Sequence, residues 1–98
     1  MVLLTTLSAD NDHAGVTDDL TGAWAQVKRI GDRWWVEGWN PTVDWPSVFV
    51  PEGWLDRTGR RSMDDHACWS QHVATELIWA FLDDRTITGA IRLPAPGR

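Results

Sequence analysis

Residues 23–39, AWAQVKRI followed by Gly31-Asp32 and RWWVEGW, constrain the fold of this chain more than any other stretch. Two runs rich in β-branched and aromatic side chains flank a two-residue, glycine-bearing loop of the kind that type I′ and II′ turns favour, which predicts a β-hairpin over 23–39. So short a loop also sets the register. Ile30 opposes Arg33 and, moving away from the turn, Arg29 opposes Trp34, Lys28 Trp35, Val27 Val36, Gln26 Glu37, Ala25 Gly38 and Trp24 Trp39. Side chains alternate between faces along each strand. One face therefore holds Ala25, Val27, Arg29, Trp34, Val36 and Gly38, whose small central residues would admit a helix at close range. The other holds Trp24, Gln26, Lys28, Ile30, Arg33, Trp35, Glu37 and Trp39, large rings interleaved with polar and charged groups.

The flanking sequence predicts the remaining elements. VLLTTL (2–7) has the pattern of an N-terminal strand, and the SADNDHAG that follows it that of a polar loop. SVFV (47–50), bracketed by Pro46 and Pro51, predicts a short strand, and TITGAIRL (86–93) a C-terminal one. Ser62 with Asp65 three residues on has the form of a capping box, and the periodicity after it predicts one long helix over 63–82. Its apolar face would comprise Met63, Ala67, Ser70, Val73, Ala74, Leu77, Ile78 and Phe81. Asp83 and Asp84 stand where the helix dipole prefers cations, an unfavourable placement unless Arg85 or another base answers them. The expected architecture is α+β: a single domain, 1–98, with a small antiparallel sheet packed on one long helix.

Charge and cysteine content narrow the function classes. With 14 acidic and 9 basic side chains the net charge is −5, which disfavours nonspecific attraction to phosphate backbones and anionic lipid. Nucleic acid and membrane are accordingly poor partners. Cys68 is the lone cysteine, so internal disulfides and multi-thiolate zinc sites are excluded. The N-terminal MVLLTTLSADND carries no basic region and only a short apolar run, so neither a signal peptide nor a spanning helix is expected there, and the chain is expected in the cytoplasm.

Familiar catalytic and ligand motifs fail. Asp10-x-Asp12-x-Ala14-Gly15 begins like a calcium loop, but Ala14 at the fifth position and Thr21 at the twelfth cannot ligate as such a loop requires. Cys68, His72 and Glu76 recur every four residues on the predicted helix, yet a straight helix spreads such a row over ~12 Å, too far for one metal ion. His72 and Glu76 remain as an acid–base pair for a small enzyme. Arg57, Arg60 and Arg61 form a small basic cluster more simply read as a solvated loop. Neither a metal nor a cofactor is expected.

The tryptophans supply the positive argument. The chain has 24 Val, Leu, Ile, Met and Phe residues to bury and eight tryptophans besides, each of which would add ~150–250 Å². Not all should fit inside. Trp and Arg dominate binding hot spots, and a dry core would not accept Gln26, Glu37 and Lys28 without partners. The expectation is a non-catalytic protein-binding module or inhibitor that presents Trp24, Lys28, Trp35, Glu37 and Trp39 to another protein or a second copy of itself, including one encoded by a phage or mobile element against a host system. The alternative is a small-molecule domain whose indoles stack on a sugar or nucleobase while Asp44, Glu37 or His72 bonds its edge, which predicts a concave site instead of a flat patch. The aromatic loop VDWPSVFVPEGW, with Trp45 and Trp54, is expected to lie over Trp69 and Trp79 of the helix or to extend the aromatic surface.

Overall fold

A computed structural model of the chain describes residues 13–43, 45–54 and 62–95. Five strands form one antiparallel sheet in chain order: β1 (His13–Thr17), β2 (Trp24–Ile30), β3 (Arg33–Trp39), β4 (Ser47–Pro51) and β5 (Ala90–Pro94). A 3₁₀ turn, Met63–His66, and a helix, α1 (Gln71–Leu82), complete the α+β fold. All seven predicted pairs of the β2–β3 hairpin are present, from Ile30 with Arg33 to Trp24 with Trp39. Gly31 turns the chain with φ +65°, a conformation that a residue with a Cβ enters only under strain.

Alternation then decides where α1 lies. Ala25, Val27, Trp34 and Val36 are buried on the inner face, joined by Ala14 and Val16 of β1, Phe49 of β4, and Ala74, Leu77, Ile78, Ala80, Phe81 and Leu82 of the helix. Phe49 and Phe81 meet with ring centroids 4.6 Å apart and planes tilted by 54°, within the range of favourable aromatic pairs. Gly38 is where helix and sheet come closest. A Cβ there would run into the Phe81 ring, at 2.6 Å from Cδ2, and stand 2.7 Å from the Trp24 carbonyl oxygen.

The long helix predicted over 63–82 is two pieces with an extended link between them. Ser62 does cap its segment reciprocally with Asp65, but the turn stops at His66. Residues 67–70 then run extended, and a second cap, Ser70, accepts from the Val73 N–H to start α1. The cause is backbone satisfaction at the edge of β3. β4 pairs with β3 only at Glu37–Val48 and Gly38–Ser47, leaving Trp34 without a neighbour strand. Trp69 fills that gap: Trp34 N donates to Trp69 O at 2.9 Å and Trp69 N donates back at 3.1 Å. The Trp69 indole also donates to the Phe49 carbonyl at 2.9 Å, so one residue ties both splayed strands together. Unpaired buried N–H and C=O groups are costly enough to outweigh the helical preference of four residues. Cys68 is therefore not a helical residue, and Met63 and Ala67 do not belong to the packing face of α1.

At its other end α1 closes in a Schellman arrangement: Arg85 N donates to Ala80 O and Asp84 N to Phe81 O. Asp84 occupies the left-handed position, φ 52°, where glycine is usual. The two C-terminal acids are answered as their position requires: Asp83 by Arg85 at 3.4 Å, and Asp84 by Arg92 of β5 at 3.3 Å. Arg92 also donates to the Ala80 and Arg85 carbonyls while its guanidinium lies over Phe49 and Phe81, 5.3 and 4.9 Å from their centroids.

Two strand expectations shift. HAGVT, part of it assigned to a polar loop, is β1; its two apolar side chains, Ala14 and Val16, suffice because they alternate onto the inner face opposite Val27 and Ala25. The C-terminal strand begins at Ala90 instead of 86, since Gly89 takes φ +86° in a turn that hands its carbonyl to Glu52 N. The strand predicted at 2–7 lies outside the described residues. No described helix is long and apolar enough to cross a membrane.

The Gly38 contact gives a direct test. Gly38→Ala should destabilise the fold by about 1–3 kcal/mol through overpacking, lowering Tm by about 4–8 °C for each kcal/mol in a domain of this size. Gly15→Ala, whose Cβ would meet the Ala25 carbonyl at an ordinary 3.5 Å, should stay within ~0.5 kcal/mol of the parent. Equal losses from the two substitutions, by thermal or urea unfolding, would remove the close approach as the reason for glycine at 38.

Candidate functional site

The outer face of the hairpin divides into a covered half and an open half. Trp35 is only 6% exposed, because the Met63–His66 turn lies over it and Asp64 accepts a hydrogen bond from the indole Nε1 at 3.1 Å. Glu37 is fully enclosed, with the Gln26 side-chain amide donating to Oε1. A carboxyl group so placed requires hydrogen-bond partners to offset its loss of water, and Gln26, its cross-strand neighbour, supplies one. His66, also buried, packs its ring on Trp54 at 5.1 Å and places Nδ1 3.0 Å from the Ser62 carbonyl oxygen. Lys28 is half-buried beside this covered region.

Trp24 and Trp39 are half-buried at the far end of the hairpin, where the loops before β2 and after β3 meet them. Trp39 lies between those loops: Gly22 is close to its six-membered ring, and its Nε1 donates to the Val43 carbonyl at 3.1 Å. Each loop is tied down by its own polar residues. Asp18 and Gly22 exchange backbone bonds with Ala23 and Asp18, Asp18 Oδ1 accepts from Leu20 N, Thr21 Oγ1 accepts from Ala23 N, and Gly22 takes φ +81°. On the other side Asn40 Nδ2 donates to the Phe81 carbonyl at 2.9 Å, Asn40 Oδ1 accepts from Thr42, and the Thr42 hydroxyl donates to Asp84.

These two ordered loops expose the largest apolar side chains at this end: Leu20 at 87% and Trp45 at 54%. A leucine at the tip of a hydrogen-bonded turn and an indole more than half exposed gain little for the fold, and both lie on the loops that flank the Trp24–Trp39 end of the hairpin.

Of the residues predicted for binding, Trp24 and Trp39 belong to this surface, Lys28 stands apart toward the Gly31 turn, and Trp35 and Glu37 are enclosed by the chain itself. Leu20 and Trp45 were not among them. The signal for Leu20 was present in Asp18-Asp19-Leu20-Thr21-Gly22, an apolar residue amid turn formers. Trp45 is largely exposed, and Trp69 and Trp79 pack against the main core.

The other candidates are dispersed. His72 and Glu76 form an i, i+4 pair, 3.5 Å apart and exposed on α1, while Cys68 precedes the helix. Among the described residues no three His, Cys, Asp or Glu side chains converge as metal ligands would. A cavity of about 360 Å³ lies between the α1 C-terminus and β5, walled by Phe49, Ile87, Ile91, Asp84, Arg85 and Arg92. No indole lines it; of its charges Asp84 and Arg92 pair with each other, and Arg85 pairs with Asp83 outside it. Comparison of the chain with protein-family models, with curated proteins and with solved structures finds no match in any of the three.

The burial order of the indoles can be read in solution. Trp45→Phe should remove the component of the emission most accessible to acrylamide, whereas Trp35→Phe should leave quenching nearly unchanged and cost about 1 kcal/mol of stability through the lost bond to Asp64. Quenching that falls as much in Trp35→Phe as in Trp45→Phe would show the roof over Trp35 to be open.

Proposed function

We propose that the chain is a non-catalytic protein-binding module that docks through the loop-bearing end of its hairpin, with Leu20, Trp24, Trp39 and Trp45 as the contact residues. The observation that carries this reading is the exposure of two large apolar side chains, Leu20 on a hydrogen-bonded turn and Trp45 on the loop after β3, at the end of the hairpin where Trp24 and Trp39 are half-buried. The docking surface is thus shifted from the face Trp24, Lys28, Trp35, Glu37 and Trp39 to one end of it. A single cysteine suits a reducing compartment, and we place the module in the cytoplasm.

The magnitudes favour a surface that extends beyond the two most exposed residues. Covering Leu20 contributes about 1.5–3 kcal/mol, and a half-exposed indole about as much. Association itself costs an estimated ~4–15 kcal/mol. Contacts to Trp24, Trp39 and the surrounding polar rim are needed to reach useful affinity. Stacking on a sugar or nucleobase fits less well, since the indoles are not gathered around the cavity near β5.

Photo-crosslinking amino acids at positions 20, 45 and 72, introduced one at a time in the native host, separate the possibilities. Positions 20 and 45 should yield the same discrete protein adduct and position 72 none. Trp45→Ser should weaken capture of that partner by about 30-fold or more, the equivalent of ~2 kcal/mol at a hot spot, with Tm unchanged. An adduct formed equally from position 72, or capture indifferent to Trp45→Ser, would rule this surface out.

A further inference from the structure

We propose that the occupant of this surface is a cationic element of a partner protein, a segment whose arginine or lysine side chains lie on the indoles and pair with Asp18 and Asp19. The inference rests on the docking surface proposed above and adds the chemistry of what docks. It starts from an asymmetry in the charges. No lysine or arginine occurs in residues 1–27 or 34–56, so neither strand end carrying Trp24 and Trp39, nor either loop beside them, contains a cation. All three hairpin cations, Lys28, Arg29 and Arg33, cluster at the Gly31-Asp32 turn.

Seven-residue strands separate these ends by roughly 20 Å, about twice the ~8–10 Å Debye length of a physiological solution. A partner approaching the Trp24–Trp39 end therefore meets aromatic faces and carboxylates with little influence from Arg33, while Lys28, four residues from Trp24 along β2, stands roughly 13 Å away, just beyond one Debye length. Asp19 is exposed; Asp18 uses Oδ1 for Leu20 N. Beside the α1 C-terminus, Arg85 pairs with Asp83, and Arg92 of β5 pairs with Asp84 and donates to two carbonyls.

An indole face attracts a guanidinium or ammonium more strongly than any other side-chain ring, and a carboxylate at its rim adds a charge-assisted hydrogen bond. The same chemistry already operates inside the fold, where Arg92 stacks over Phe49 and Phe81 and pairs with Asp84. A symmetric dimer through this end is disfavoured, because a two-fold axis would set each acidic rim against its copy, in a chain of net charge −5. Phosphate-bearing partners meet the same repulsion.

The test titrates the full chain with a capped peptide of alternating arginine and leucine, and with its glutamate counterpart, while following the indole N–H resonances. The arginine peptide should shift Trp45, Trp39 and Trp24 and leave Trp34 and Trp35 in place. Its affinity should fall about tenfold or more between ~50 and ~500 mM salt, and Asp18→Asn with Asp19→Asn should weaken it about fivefold or more. The amide introduced by Asp18→Asn keeps the oxygen that accepts from Leu20 N, so the turn persists. Equal binding of the glutamate peptide, salt-independent binding, or no shift at millimolar peptide overturns the cationic occupant. Head-to-tail self-association lost in Lys28→Glu does so as well, by making a second copy the occupant. Where crosslinking from positions 20 and 45 persists but the captured partner binds independently of salt and of Asp18 and Asp19, the docking surface stands and its cationic occupant falls; where that crosslinking also fails, the surface falls first.

Discussion

The missing side chain at Gly38 determines how the rest of the molecule is arranged. It lets the Phe81 ring settle against the β3 backbone, which places the last turn of α1 over the end of the hairpin. Asn40, two residues on, then reaches the Phe81 carbonyl, and Thr42 reaches Asp84. A packing contact on the inner face thereby positions the loop that carries Trp45 and supports Trp39 on the outer one. A larger residue at 38 would lift the helix, and the polar ties that hold the 40–43 loop would lengthen with it. Core packing and the exposed aromatic end are consequently linked through one short stretch, Gly38 to Thr42.

The segment 62–71 solves a second problem. After the 3₁₀ turn covers Trp35 on one side of the sheet, the chain must reach α1 on the other, and the only economical route is past the edge of β3 where β4 has diverged. Cys68 and Trp69 make that crossing as a fragment of strand, satisfying Trp34 and giving the Trp69 indole to Phe49. Two serine caps, at 62 and 70, mark where helical geometry is entered on each side of it. Without that crossing the inner and outer layers would lack a common hydrogen-bonded connection at this position.

Much of this was legible in the sequence wherever a local rule had no competitor. The Gly31-Asp32 loop defined all seven hairpin pairs, and the same alternation correctly put Ala25, Val27, Trp34 and Val36 against a helix. The α1 face from Ala74 through Phe81 followed from helical period alone. The failures came where a distant group decided the outcome. The periodicity from Met63 onward continues through Cys68 and Trp69, and nothing local reveals that Trp34 needs a partner there. Glu37 and Trp35 look like surface residues by composition, yet Gln26 and Asp64 satisfy their polar atoms in place. Residues 16–22 match neither helical nor strand periodicity, so no periodic pattern singles out Leu20, although the acceptors of its turn, Asp18 and Thr21, are plain in the sequence.

The enclosure of Trp35 and Glu37 sharpens the contrast with the other end of the hairpin. Both halves of the outer face began with the same material, bulky rings beside polar side chains, so composition alone does not explain why only one half is roofed. The difference lies in connection. The chain returning toward α1 must pass the Gly31-turn half of β3, because Trp69 joins the sheet at Trp34, and the Met63–His66 turn is thus delivered onto Trp35. No described helix or turn is delivered in that way onto Trp24 and Trp39; the flanking loops cover Trp39 in part and add two further apolar side chains to solvent. Folding covers what the crossing reaches and leaves Leu20 and Trp45 outside it, so the exposed apolar area at this end follows from the route of the chain and not from its composition.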